Sequence, residues 1–381
     1  MQDNFRMLNG QTLPYPLFFP DATRGEVRQL TFEDVKMVGL PGILVNTFHL
    51  LRLVGTEKTV AAGGIHKYLG WDGAMISDSG GFQVMSIAKK YGGNSTVTDE
   101  GVTFTLDGID HHFSPEDSIK YQMAMGTDLM VVLDDFTPPD ATHEEAEVTV
   151  NRTTLWAKRC KEEFNRLQSS DHSPKITQGS ELGNKRPYLI GVVQGGEYED
   201  LRLKSIKELM EIGFDGYGYG GFPMKDGKFD EAMAKFMADN LPKDTVLYGL
   251  GIGKPDDIVK CVNLGWQIFD CVLPTRDARH GRLYVYTNEP ARSAYSTAVA
   301  GGSIQRINVQ KDGFYEYYNP RQALHLEETG PVSSACDCEL CTSLSRKEFA
   351  TMWRARDEKV LRLATIHNLR FYAILMEKLR K

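Results

Sequence analysis

Eight short apolar runs rich in β-favouring residues, most of them separated by helical patterning, constrain this chain more than any other feature. They cover residues 16–19, 42–46, 75–78, 129–134, 189–194, 217–220, 246–250 and 268–272. Strands that alternate with helices predict a parallel sheet wrapped by helices, because parallel neighbours need a long crossover and a helix supplies it. Eight such units predict an α/β fold of the (β/α)8 TIM-barrel type, with a doubly wound open sheet as the alternative. Thr31-Phe32-Glu33-Asp34 and Ser114-Pro115-Glu116-Asp117 have the residues of capped helix starts, the second with proline in the first turn. Further helices are expected over 142–167, 200–212, 228–240 and 255–264. Residues 96–113 read as a hairpin inserted after the third strand, and the polar stretch 168–185 reads as a surface loop.

Polar residues collect at one end of these strands. Asp78, Asp134, Asp135, Gln194, Gly220, Gly221 and Asp270 each close an expected strand at its C-terminal end. In a barrel those ends converge on one mouth, where loops build the active site. The run Ile268-Phe269-Asp270-Cys271-Val272-Leu273-Pro274-Thr275-Arg276-Asp277-Ala278-Arg279 drives a carboxylate to a strand end and follows it with two arginines. That suits chemistry on an anionic polymer such as a polynucleotide, although an aspartate capping the next turn would look the same in isolation. In Ser77-Asp78-Ser79-Gly80-Gly81-Phe82-Gln83 the glycines let backbone approach a ligand, and Phe82 either stacks on a planar base or fills the core. Gly249-Leu250-Gly251-Ile252-Gly253-Lys254-Pro255 has the wrong spacing for a phosphate loop, with Pro255 where a hydroxyl must hold magnesium. Nucleoside triphosphate binding is excluded there, and a wall for a flat pocket is not.

The net charge of −7 argues against a general nucleic-acid coat. It hides an asymmetry, since residues 345–381 carry 10 Lys/Arg against 4 Asp/Glu, a balance of +6, and the remainder stands at −13. A basic tail on an acidic body can hold a phosphate backbone locally, or it can be a solvated helix face. No window approaches the ~18 apolar residues of a membrane span, and the N-terminus lacks a signal-peptide pattern, so a cytoplasmic protein is expected. Of the six cysteines, Cys336, Cys338 and Cys341 fall within six residues. Three thiols this close can turn toward one cation, and thiolates suit zinc. His367, in the helix-like run 359–379, is the candidate fourth ligand. Three Cys and one His close a tetrahedron, which makes the metal structural; reduced surface cysteines or a redox cluster are the alternatives.

Assembled, these residues resemble the tRNA-guanine transglycosylases (queuine/7-deazaguanine tRNA-ribosyltransferases), from about Leu17 to Lys381. The resemblance is carried by Asn46-Thr47-Phe48-His49-Leu50, residues 77–83, Val193-Gln194-Gly195-Gly196, Gly213-Phe214-Asp215-Gly216-Tyr217, Gly253-Lys254-Pro255-Asp256-Asp257, residues 269–276, the cysteine cluster and His367-Asn368. It implies a (β/α)8 catalytic barrel over 1–330 and a zinc-binding subdomain with a basic helix over 331–381. The implied reaction exchanges the wobble guanine of a tRNA anticodon for a 7-deazaguanine base. Asp270 matches the nucleophile that captures C1′, and Asp78 the general acid/base. Phe82, Asp134, Gln194, Gly221 and Leu250 match the base pocket, Arg276 and Arg279 the anticodon-loop grip, and Cys336, Cys338, Cys341 and His367 the ligands of one structural Zn2+. Family members act as homodimers. Phe136, the run Phe222-Pro223-Met224-Lys225-Asp226, Leu250 and His280 depart from the family pattern. Phe136 and Met224 are bulky where queuine users keep space, so a compact base such as 7-aminomethyl-7-deazaguanine is expected. A paralogue with another deazapurine or polynucleotide substrate is the alternative, as is a non-catalytic tRNA-binding partner, though such a partner would not need both aspartates.

Overall fold

A computed structural model describes residues 4–81, 95–106, 109–169, 186–287 and 307–380. All eight expected strands form, as β1 (Leu17–Pro20), β2 (Gly42–Asn46), β3 (Ala74–Asp78), β4 (Leu129–Val131), β5 (Tyr188–Val193), β6 (Gly216–Tyr219), β7 (Val246–Gly249) and β8 (Ile268–Cys271). They share one sheet in which every strand lies beside its sequence neighbours, in the order β1-β8-β7-β6-β5-β4-β3-β2. Strand β8 runs parallel to β1, and a parallel bridge from Asp21 to Leu44 joins the end of β1 to β2. The sheet therefore curls into a nearly closed barrel. A doubly wound sheet would reverse its strand order at a switch point, and none occurs.

The strands are legible as apolar runs because parallel strands are covered on both faces. Every residue of β1, β2, β6 and β7 is buried. Packing is close enough that a Cβ at Gly42 would lie 2.3 Å from the Phe19 ring, so only glycine fits there. Thr31 and Ser114 both complete capping boxes, with Asp34 and Asp117 answering them. Each such cap contributes about 1 kcal/mol.

Several expectations need correction. The hairpin inserted after β3 forms, Gly101–Leu106 with Ile109–Phe113, and it carries a third antiparallel strand that was not expected, Ser95–Thr98. That added strand is polar, short and at an edge, which leaves little signal in sequence. The helix expected from 228 starts later, at Glu231 on an Asp230 cap, because Lys228–Phe229 pairs with Met224–Lys225 as a small ribbon. Gln168 and Ser169 complete the helix His143–Ser169 instead of opening a loop; the rest of that expected loop lies outside the described residues. Among the described residues no helix is long and apolar enough to cross a membrane.

The C-terminal helix Val360–Leu379 is mostly buried and belongs to the same core as the barrel. Asn368 fixes it: its side chain accepts from the Tyr284 N–H and donates to the carbonyls of Pro274 and Arg282. The Tyr372 hydroxyl reaches the Gly253 carbonyl at 2.5 Å. The basic tail is thus no free arm. Arg362 pairs with Asp34 and Glu339, and Arg370 with Asp337 and Glu377, so two of its cations hold the fold.

Candidate active site

The carboxylates at the strand ends face the mouth, and each is held by a partner that the barrel register supplies. Asn46 and Asp78 are direct neighbours across β2 and β3. The Asn46 amide donates to both Asp78 oxygens, at 2.8 and 2.9 Å, while the Gly80 N–H reaches Oδ1 at 3.0 Å. Burial pushes Asp78 up to about 7, the Asn46 bond opposes it, and the charge of Asp270 raises it further.

Asp270 sits opposite Phe19 on β8 and does not cap the following helix, whose first turn has no side-chain cap. Its Oδ1 instead accepts from the Tyr248 hydroxyl at 2.8 Å and the Gly251 N–H at 3.0 Å. Burial raises it to about 6, against those two bonds. The glycine-rich run after β7 therefore serves a carboxylate and not a phosphate. Gly251 takes a φ of +70°, and a Cβ at Gly253 would stand 2.1 Å from that of Cys271. The two carboxylates divide the work of protonation. Asp78 is raised further than Asp270, so of the two Asp270 gives up its proton more readily.

A third acid lies beyond β4. Asp134 accepts from the Gln194 amide nitrogen at 2.8 Å, and the Gln194 carbonyl is tied to the Thr137 N–H at 3.2 Å. Burial lifts Asp134 to about 6, the Gln194 bond opposes this, and Asp135 adds to the rise. Asp135 itself turns away into an ion pair with Arg152. Gly221 lies beside this pair at a φ of +78°, where a Cβ would stand 3.4 Å from the Gln194 carbonyl oxygen. Leu250 packs over Gly218, whose own Cβ would meet it at 2.7 Å. Phe82 lies outside the described residues. Arg276 and Arg279 share the helix Leu273–Arg279, the first exposed and the second half-buried.

Sequence reasoning missed three supporting residues. Tyr248 is a fully buried phenol in a strand, and such a hydroxyl needs a partner, which was a usable signal. Asn46 was read only as part of a motif. Arg202 is buried on the helix Glu199–Ile212 and donates to the carbonyls of Val193, Gly196 and Gly220, locking the loops that carry Gln194 and Gly221. A cation at helical spacing from the core residues Ile206 and Leu209 marked it in advance.

Away from the mouth, Cys336, Cys338, Cys341 and His367 bring their ligand atoms within 4.8 Å of one another, all buried. His367 Nδ1 lies 3.5 and 3.2 Å from the sulfurs of Cys338 and Cys341. Tetrahedral zinc with ordinary Zn–S and Zn–N bonds sets those sulfur–nitrogen separations at about 3.6 Å. His367 Nε2 faces the Tyr284 carbonyl at 2.8 Å, which places the proton on Nε2 and frees Nδ1 for a metal. The donor set fits a closed zinc site.

Comparison with known proteins agrees with this geometry. The model of the family described as Queuine tRNA-ribosyltransferase matches residues 4–381. The chain belongs to this family. A Queuine tRNA-ribosyltransferase of Vibrio cholerae serotype O1 (strain M66-2) is 36% identical over 373 residues, covering 97% of this chain and 86% of the relative. Those of Shewanella sp. (strain W3-18-1) and Psychrobacter cryohalolentis are 36% and 34% identical, covering 97% and 98% of this chain and 87% of each relative.

Proposed function

We propose that this chain is a tRNA-guanine transglycosylase of queuosine modification, which exchanges the wobble guanine of a tRNA for a 7-deazaguanine base through a covalent Asp270–ribose intermediate. The observation that carries this is the pair of desolvated carboxylates on β3 and β8, with Asp78 raised further by the charge of Asp270. In the first step a carboxylate oxygen of Asp270 bonds to C1′ and the bond from C1′ to the guanine breaks. The bonding electrons leave with the base, and Asp78 donates the proton that neutralises it. In the second step Asp78, now ionised, takes the proton of the incoming base; that base attacks C1′ and Asp270 departs. Two displacements restore both aspartates.

Asp134, ionised above about 6, is suited to accept from the N–H edge of a guanine-like base. Gln194 keeps one amide hydrogen for the base carbonyl, since Asp134 holds the other. An adenine would leave these groups unpaired, a strong basis for rejection. Gly221 offers backbone, Leu250 and Phe82 the two faces of the base, and Arg276 and Arg279 the grip on the anticodon loop. Phe136 and Met224 are bulky and half-buried; we take them to narrow the pocket, so that 7-aminomethyl-7-deazaguanine is the incoming base preferred over queuine. The Cys3His residues hold one structural zinc that stiffens the 331–381 subdomain against the barrel. We place the enzyme in the cytoplasm as a homodimer.

The test is incorporation of labelled guanine into an unmodified tRNA with guanine at the wobble position, followed by competition between queuine and 7-aminomethyl-7-deazaguanine. Incorporation and a preference for the aminomethyl base are expected. No incorporation by folded, zinc-loaded protein would overturn the reaction, and a queuine preference would overturn the choice of base.

A further inference from the structure

Beside the nucleophile lies a group of cations that none of the roles above uses. Strand β1 ends next to β8, with Cys271 level with Pro20, so the chain leaving β1 at Asp21 passes beside Asp270. It then makes two tight turns, closed by Gly25 N–H on the Ala22 carbonyl and Leu30 N–H on the Val27 carbonyl. Ala22, Gly25 and Val27 are buried, and Gly25 takes a φ of +83° where a Cβ would meet Leu69 at 2.8 Å. That pattern fixes the loop and turns Arg24, Glu26 and Arg28 outward. Among the described residues the side chains of Arg24, Arg28 and Arg276 make no hydrogen bond or ion pair, although acids outnumber bases in the chain.

Arg28 and Arg276 lie close enough to act on Arg279. Arg279 is held below the usual guanidinium range, first by burial, then by Arg28 and Arg276, with Asp21 opposing. His49, on the helix Thr47–Leu53 that follows β2, is lowered by burial and then by Arg24 and Arg52, again with Asp21 opposing. Among the described residues one buried amino group of Arg279, Nη1, meets no hydrogen-bond partner. A buried unsatisfied cationic donor is costly unless an anion arrives to meet it. Among the described residues Asp21 is the acid that acts in both places, and with Glu26 on the loop itself the acids are outnumbered by Arg24, Arg28, Arg276 and Arg279.

We propose that Arg24 and Arg28, on the rigid loop after β1, form with Arg279 a phosphate cradle that grips the ribose-phosphate backbone flanking the reacting nucleotide. The partner is a polynucleotide backbone, because three separate cations spread over a loop and a helix match successive phosphates and not one small anion. This rests on the tRNA reading above and adds two residues to it. The cradle fixes C1′ against Asp270 without reading sequence, so its loss weakens tRNA binding and leaves recognition of the free base alone.

The experiment measures tRNA affinity of the full-length, zinc-loaded protein across salt concentrations, for wild type, Arg24→Ala/Arg28→Ala and a control pair, Lys207→Ala/Lys235→Ala, from the outer helices. Each phosphate contact to a single strand adds about 0.7 to the slope of log K against log salt. The arginine variant is expected to lose about 1.4 in slope, with KM for free guanine unchanged and the melting temperature kept; the control keeps its slope. Arg24→Lys/Arg28→Lys is expected to retain the slope. An unchanged slope in the alanine variant, or an equal fall in the control, would overturn the cradle. Wild-type protein that neither binds nor modifies tRNA would instead overturn the parent reading, so the two failures are distinguishable.

Discussion

The barrel mouth and the Cys3His knot both gather titratable groups, but the knot is fully buried while Asp78, Asp134 and Asp270 are half-buried, and the two handle desolvation in opposite ways. In the knot four donors converge within 4.8 Å, and His367 Nε2 is fixed by the Tyr284 carbonyl, which leaves nothing open. At the mouth, three carboxylates are desolvated and only partly compensated, so each is raised above the ordinary carboxylate range. Among the described residues Asp270 takes both of its hydrogen bonds on Oδ1, which leaves Oδ2 open to the mouth. One cluster ends the need for a partner; the other keeps that need for a substrate. Structural and reactive burial are told apart by what remains unsatisfied.

Substitutions should separate the two regions cleanly. Asp270→Asn is expected to lower guanine exchange by about 10⁴-fold or more while leaving zinc content and melting temperature intact. Cys338→Ser is expected to do the reverse, lowering bound zinc and melting temperature together, as elemental analysis and thermal melts would read. An Asp270 variant that unfolds, or a Cys338 variant with full zinc and stability, would break the contrast.

The pH profile sharpens the mouth. The proposed mechanism uses Asp270 ionised and Asp78 protonated, so it predicts that kcat/KM rises as pH passes about 6 and falls as it passes about 7. Those two midpoints belong to the interacting pair. Tyr248→Phe removes a bond that holds Asp270 down, so its acid limb should move to higher pH. We expect about a tenfold loss near pH 6 that shrinks on the alkaline side. Asn46→Ala removes the bond that lowers Asp78, and the alkaline limb alone should move up. The smallest effect is expected of Arg362→Ala, which breaks the pairs with Asp34 and Glu339 near the zinc region. It should cost about 1–2 kcal/mol of stability, read in denaturant, with exchange unchanged.

Sequence carried the barrel and the knot for different reasons. Parallel strands covered on both faces, such as β2 and β7, are written as uninterrupted apolar runs, and cysteines two and three residues apart state their common ligand locally. Aspartates at strand ends were visible once the runs were aligned. Their settings were not. Asn46 finds Asp78, and Tyr248 finds Asp270, only through the register of neighbouring strands, which one chain does not spell out. The ribbon Met224–Lys225/Lys228–Phe229 was hidden because two-residue strands have no period to detect.

The most direct test of the account is to trap the intermediate. Protein incubated with unmodified tRNA, then denatured and digested, is expected to yield a ribose-linked peptide whose fragments place the bond on Asp270, and none from Asp270→Asn. A bond on Asp78 instead, or exchange at full rate by the Asp270→Asn variant, would contradict the assignment of the nucleophile.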